Sequence, residues 1–281
     1  MNGFTVDTII DRLKLEKINV PCRDNGKVFT VTDRLDSIYR QLIMPEPAGD
    51  LFPLWGSVHD GKLAKLYAQT ERWPMEDCVL ISCHVDSLYA QYYHRVEGAE
   101  LLGTFDNSLC NAILVDLMNE RYALPDSIVV AFTADEEHRS RGADEVMGFL
   151  KKKQCLPKVV ISLDVTEAGF GDHDFTIENY FAGHPARIPG GEAGFLKFLK
   201  KAFPGEVLSI HHEDADADES WQYDEHNVHC FSLCLPCRPI SFDMHQNSGV
   251  RVRFESIKAY RSALLKLSRH LDRDGEPPFD L

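Results

Sequence analysis

The sequence predicts an α/β protein of three layers (α/β/α), with helices on both faces of a central mixed, mostly parallel sheet. Apolar runs of strand length alternate along the chain with amphipathic patterns of helical period, the order that builds a sheet with helical crossovers. Several of those runs are apolar throughout, as strands buried on both faces are. Just past such runs stand His84, Glu136, Glu137 and Asp164, and in sheets of this kind ligands bind beyond the carboxyl ends of the strands.

In chain order, strands are expected at Lys62–Tyr67, Val79–Cys83, Ser127–Ala134, Lys158–Leu163, Val207–Ile210 and His229–Leu235. A helix is expected over Asn107–Glu120, where Leu109, Ala112, Ile113 and Leu117 form one apolar stripe. Ala143, Val146, Met147 and Leu150 repeat that pattern and run into Lys151–Lys153, cations suited to a helix C-terminus. The last long helix carries Phe254, Ile257, Tyr260, Leu264, Leu267 and Leu271 at helical spacing and should pack on the sheet. Asp272–Leu281 reads as a tail, and the first 75 residues carry no assignable motif.

A chain of 281 residues, 44% of them hydrophobic, can bury a large core, and residues 1–281 read as one catalytic domain. No period repeats and no low-complexity linker divides it. With 30 basic against 44 acidic residues the net charge is -14, which argues against nucleic acid or an anionic membrane as partner. The amino terminus lacks the pattern of a secretory leader, and no apolar run approaches the roughly 18 residues of a membrane span. A cytoplasmic protein is the expectation.

The eight cysteines are scattered, unlike a secreted disulfide framework. Cys234 and Cys237 have the spacing of a redox or zinc motif. They end a strand-like run and lack a second pair, so they read as structural thiols. The acidic stretch Glu213–Glu219 reads as a solvated loop.

Six positions, His84, Asp106, Glu136, Glu137, Asp164 and His245, suggest a two-metal hydrolytic site. His84 and Asp86, two apart in extended chain, point to one side, which makes His84 a candidate ligand and Asp86 the carboxylate that orients it. Asp106 precedes a helix and can face one cation with each oxygen. Asp135, Glu136 and Glu137 close an apolar strand, an arrangement that costs energy unless cations or protons neutralise it. One of the two glutamates can hold metal while the other addresses water, and spacing does not say which. Asp164 ends another strand, and His245 lies in the loop before the final helix.

The segments Cys83–Ser87, Gly103–Asn107, Phe132–Gly142, Leu163–Val165 and Met244–Ser248 together resemble the co-catalytic zinc exopeptidases of the bacterial leucyl aminopeptidase type, whose relatives include the glutaminyl cyclases. The intervals His84 to Asp106, Glu137 to Asp164 and Asp164 to His245 span 22, 27 and 81 residues. None has room for an inserted domain of about 100 residues, so the likeness is to the compact branch.

The resemblance implies two divalent ions, zinc foremost, with cobalt or manganese chemically compatible. It implies His84, Asp106 and Asp164 on one ion, Asp106, Glu137 and His245 on the other, and Glu136 as general base. In that scheme a bridging water yields its proton to Glu136 and attacks the scissile carbonyl of a peptide, releasing its N-terminal residue. A glutaminyl cyclase-like acyl transferase, or an amidohydrolase acting on small N-acyl or aminoacyl compounds, is the enzymatic alternative. A metal-stabilised binding protein is the non-enzymatic one. Cys110 and Arg139 depart from the family pattern and could reshape the substrate pocket.

Overall fold

The computed structural model describes residues 5–15, 55–69, 76–89, 93–120, 123–178, 180–181, 184–185, 191–205, 209–211, 218–246 and 248–273. Fourteen strands occur among them: β1 (Trp55–Asp60), β2 (Ala64–Gln69), β3 (Val79–His84), β4 (His94–Glu97), β5 (Glu100–Gly103), β6 (Ile128–Thr133), β7 (Val159–Thr166), β8 (Thr176–Glu178), β9 (Tyr180–Phe181), β10 (His184–Pro185), β11 (Ser209–His211), β12 (Cys230–Pro236), β13 (Arg238–Pro239) and β14 (Val250–Arg253). The helices are α1 (Val6–Leu15), α2 (Ser108–Asn119), α3 (Arg141–Lys152), α4 (Gly191–Ala202), α5 (Ser220–Glu225) and α6 (Phe254–Arg273).

The main sheet runs β1-β2-β6-β3-β7-β12-β8-β11. Its centre, β6-β3-β7-β12, is parallel, while β1, β2 and β8 join antiparallel. The expected mixed, mostly parallel α/β/α architecture is therefore met. Side chains alternate along each central strand. Val79, Ile81 and Cys83 of β3 join a core with α1, α2, α4 and α6, whereas Leu80 joins a second core with α3 and α5. The sheet is thus covered on both sides, which is why the central runs are rich in apolar residues.

Several elements differ from expectation. The second strand is shifted to Ala64–Gln69, and β1 and α1 arise in the region without motifs. Helix α1 buries Val6, Ile9 and Leu13, and its Arg12 reaches Asp116 on α2 at 3.2 Å. Arg261 of α6 meets the same carboxylate at 3.1 Å. Strand β7 runs on to Thr166, so Asp164 stands inside a strand. Its extra residues pair with Leu235 and Pro236 of β12. Helix α6 extends to Arg273 and takes Asp272 out of the expected tail. A small antiparallel sheet, β13-β14-β5-β4, escaped the sequence reading because its strands have two to four residues. Residues 207–208, 213–217 and 274–281, to which expectations attach, lie outside the described residues.

Candidate metal centre

The parallel strands deliver their acidic and imidazole residues to one edge. His84 closes β3, and its main-chain carbonyl accepts a hydrogen bond from Asn111 Nδ2 at 2.7 Å. Asp106 precedes α2, but it does not cap that helix. The N-cap residue is Asn107, and its side-chain amide instead donates to the Leu163 carbonyl of β7 at 2.6 Å. That bond ties the α2 terminus to the strand carrying Asp164. Cys110 lies buried on the same helix, its Sγ 3.3 Å from the Asp164 carbonyl, and Arg139 is exposed.

After β6 the chain turns sharply. Asp135 adopts φ 69°, and its carbonyl accepts the N–H groups of Arg139 at 2.9 Å and Ser140 at 2.6 Å. Gly142 follows where a Cβ would collide with the main chain of Ala134, so the turn lies tight on the strand end. The Asp86 carboxylate accepts the N–H groups of Glu136 at 3.3 Å and Glu137 at 3.2 Å. His84 Nδ1 lies 3.1 Å from the Asp86 main-chain oxygen and 3.6 Å from its carboxylate, because that carboxylate is turned toward the glutamate loop.

His245 comes from the loop between β13 and β14. Tyr89 OH donates to the Met244 carbonyl at 2.7 Å, Tyr93 OH donates to the Ser248 carbonyl, and the His245 N–H donates to Asp243 at 2.8 Å. Gly249 has φ 67° and lies where a Cβ would strike the Gly103 carbonyl, so the loop returns against β5.

Asp106 stands at the middle of the assembly. Its Oδ1 is 3.1 Å from His84 Nε2, and its Oδ2 is 3.3 Å from His245 Nε2. Asp164 Oδ1 lies 3.6 Å from His84 Nε2, and Glu136 Oε2 lies 3.9 Å from it. Three donor groups result, each compact enough for one cation: His84, Asp106 and Asp164; Asp106, Glu137 and His245; and His84, Glu136 and Glu137. His84 Nε2 and Asp106 Oδ1 are buried without a hydrogen-bond partner. Unsatisfied buried polar atoms of this kind are costly, and the nitrogen and oxygen donors suit zinc, cobalt or manganese. The residues present therefore fit metal ions.

The electrostatics agree. Burial pushes the carboxyl of Glu136 well above its ordinary range, that of Glu137 up to about 8 and that of Asp164 up to about 7. The neighbouring carboxylates reinforce each shift. Burial would lower the His84 imidazole, yet the charges of Glu136 and Asp164 hold it well above its usual range. Contact with Asp106 lifts His245 to about 9. This is an excess of buried negative charge of the kind that cations neutralise.

The fold, together with the family match that follows, makes this a metallo-exopeptidase of the co-catalytic zinc exopeptidase superfamily. Among protein-family models, residues 63–214 match peptidase family M28, more than half of the 281 residues, and the chain belongs to that family. Among curated proteins no sequence matches. Of solved structures, PhTET1-12s superposes with a TM-score of 0.65 and 10% identity over 92% of this chain and 98% of that one. Aminopeptidase APDkam598 from the archaeon Desulfurococcus kamchatkensis gives 0.60 and 12%, covering 95% and 97%. Aminopeptidase PepT from Bacillus cereus gives 0.60 and 10%, covering 95% and 98%. At these identities the likeness is one of fold. The expected superfamily and enzyme class are met, and the protein is a metal-dependent peptidase. Among the described residues no helix is long and apolar enough to cross a membrane.

Sequence reading missed the polar residues behind the ligands. Asn111 and Tyr89 are anchors that no motif announces, and Asn107, quoted only as part of a motif, acts as a third. Glu219, expected in a solvated loop, is buried at 1% exposure and accepts a hydrogen bond from Ser82. It immediately precedes α5, which carries it down onto the sheet. Cys234 and Cys237 are buried free thiols.

Proposed function

We propose that the protein is a dinuclear aminopeptidase, with the chain acting as one catalytic domain that releases N-terminal residues from peptides. The observation that carries this reading is Asp106, whose two oxygens each face a different histidine, His84 and His245. His84, Asp106 and Asp164 would hold one ion, and Asp106, Glu137 and His245 the other. Zinc is the first candidate for both. When bound, such ions polarise a carbonyl as Lewis acids and acidify water.

The chain's own residues do the rest. Glu136 lies beside the first group with no role as its ligand, and it takes the proton of the attacking water and returns it to the leaving amine. Asp86 holds the Glu136 and Glu137 N–H groups, so that the base and the neighbouring ligand keep their separate directions. The remaining acidic groups, in a protein of net charge -14, favour a substrate with a free amine.

The test is to purify the protein without chelator, count metal per chain by plasma mass spectrometry, and assay the same sample against aminoacyl-p-nitroanilides and N-acyl amino acids. Two ions per chain with chelator-sensitive release from the aminoacyl substrates is the expected result. Turnover of the N-acyl substrates alone would replace this reading with an amidohydrolase.

A further inference from the structure

A second polar layer lies beneath the metal centre. Thr133 pairs with His84, and Asp164 pairs with Cys234. Cys83 pairs with Leu163, which brings His84 level with Asp164. One pleat back along the same face, Ser82 of β3 pairs with Ser162 of β7, and Ser162 pairs with Ser232 of β12. Residues two apart share a face, so this serine row directly underlies the ligand row. All three serines are buried, and buried hydroxyls in central strands are costly unless bonded.

The partners of Ser82 and Ser232 come from the chain around α5. Ser82 Oγ donates to Glu219 Oε2 at 2.6 Å and lies 2.8 Å from Tyr223 OH. Ser220 Oγ lies 2.9 Å from Ser232 Oγ. Glu219 Oε1 and Thr133 Oγ1 are buried without a hydrogen bond of full geometry, although Thr133 lies close enough to favour the Glu219 carboxylate. No lysine or arginine pairs with Glu219 among the described residues. A buried carboxylate without a cation is strongly unfavourable, and burial raises this one to about 7. Positive charge can assemble in the ligand row, where His84 stands two residues, or about 7 Å, along β3 from Ser82.

We propose that Glu219 is a positioning residue of the metal centre, a buried anion that secures the His84 end of β3 through Ser82 and strengthens cation binding from below. This rests on the reading of the site as a metal centre. The arrangement explains a buried carboxylate whose charge a cation in the next row makes more favourable. It also explains why Ser82, and not an apolar residue, occupies the centre of β3.

The experiment is competition for zinc against a chromophoric chelator, with parallel thermal melts of the metal-free proteins. Glu219→Gln keeps the shape and the acceptor for Ser82 but removes the charge. It should weaken zinc binding by about 10–100-fold, the usual cost of losing an outer-shell partner, without lowering the melting temperature of the metal-free protein. Glu219→Asp, which keeps the charge, should recover most of that affinity. Unchanged zinc affinity in Glu219→Gln overturns the proposal, as does a lowered metal-free melting temperature with affinity intact, which marks a structural role only. If the wild-type protein takes up no metal, the metal-centre reading itself fails, a result distinct from either.

Discussion

Replacing Glu136 with glutamine separates the base from the ligands. Glu136 Oε2 lies 3.9 Å from His84 Nε2, yet the donor groups built around Asp106 contain Asp164, Glu137 and both histidines without it. Its main-chain N–H is held by Asp86, so the amide variant should keep the loop in place. A general base contributes about 10²–10⁴ in rate, and at 1.36 kcal/mol per decade the loss corresponds to about 3–5 kcal/mol of transition-state stabilisation. The expected outcome is metal content equal to wild type, kcat on an aminoacyl-p-nitroanilide reduced by about 10³, and KM little changed. Glu137→Gln, in contrast, should lose metal. Glu136 is not the base if Glu136→Gln retains activity within about tenfold, or if the variant loses an ion, which would make Glu136 a ligand in the group with His84 and Glu137.

Three further outcomes are expected. Asp106→Ala should lose both ions together, since each oxygen of Asp106 serves a separate group. A single retained ion, counted by plasma mass spectrometry, would refute the sharing. In chelator, the melting temperature should fall as pH rises from about 5 to about 8. Glu137 and Asp164, raised by burial to about 8 and 7, and His245, raised by Asp106 to about 9, keep protons in the fold that the unfolded chain has released. Their stabilisation is complete below the unfolded values and is lost on the way up. Added zinc should restore it at the alkaline end, and a melting temperature in chelator that climbs with pH would contradict this. Asp116→Ala strips Arg12 and Arg261 of their common carboxylate and should cost about 3 kcal/mol in urea unfolding. A loss below about 1 kcal/mol would class it with surface pairs.

Much of this was legible in order and type. The apolar runs of β3, β6, β7 and β12 announced central strands because such strands are buried on both faces, and the positions of His84, Glu136, Glu137 and Asp164 announced a common edge. The short strands β4, β5, β13 and β14 were not legible. They draw their stability from pairing across the sheet, and two to four residues carry no period. Glu219 was misread for a related reason: in a run of acids its neighbours suggest solvent, while the position of α5 above the sheet decides its burial.

The sequence by itself determined the chemical inventory and the architecture, since hydrophobic period and the residues at strand ends are properties of local order. Only the tertiary structure decided distances and partners. It turned Asp86 toward the glutamate loop, brought His245 from 81 residues beyond Asp164 to within 3.3 Å of Asp106, and laid Glu219 against Ser82. Each of these depends on how separate elements pack, and packing joins residues that are remote along the chain.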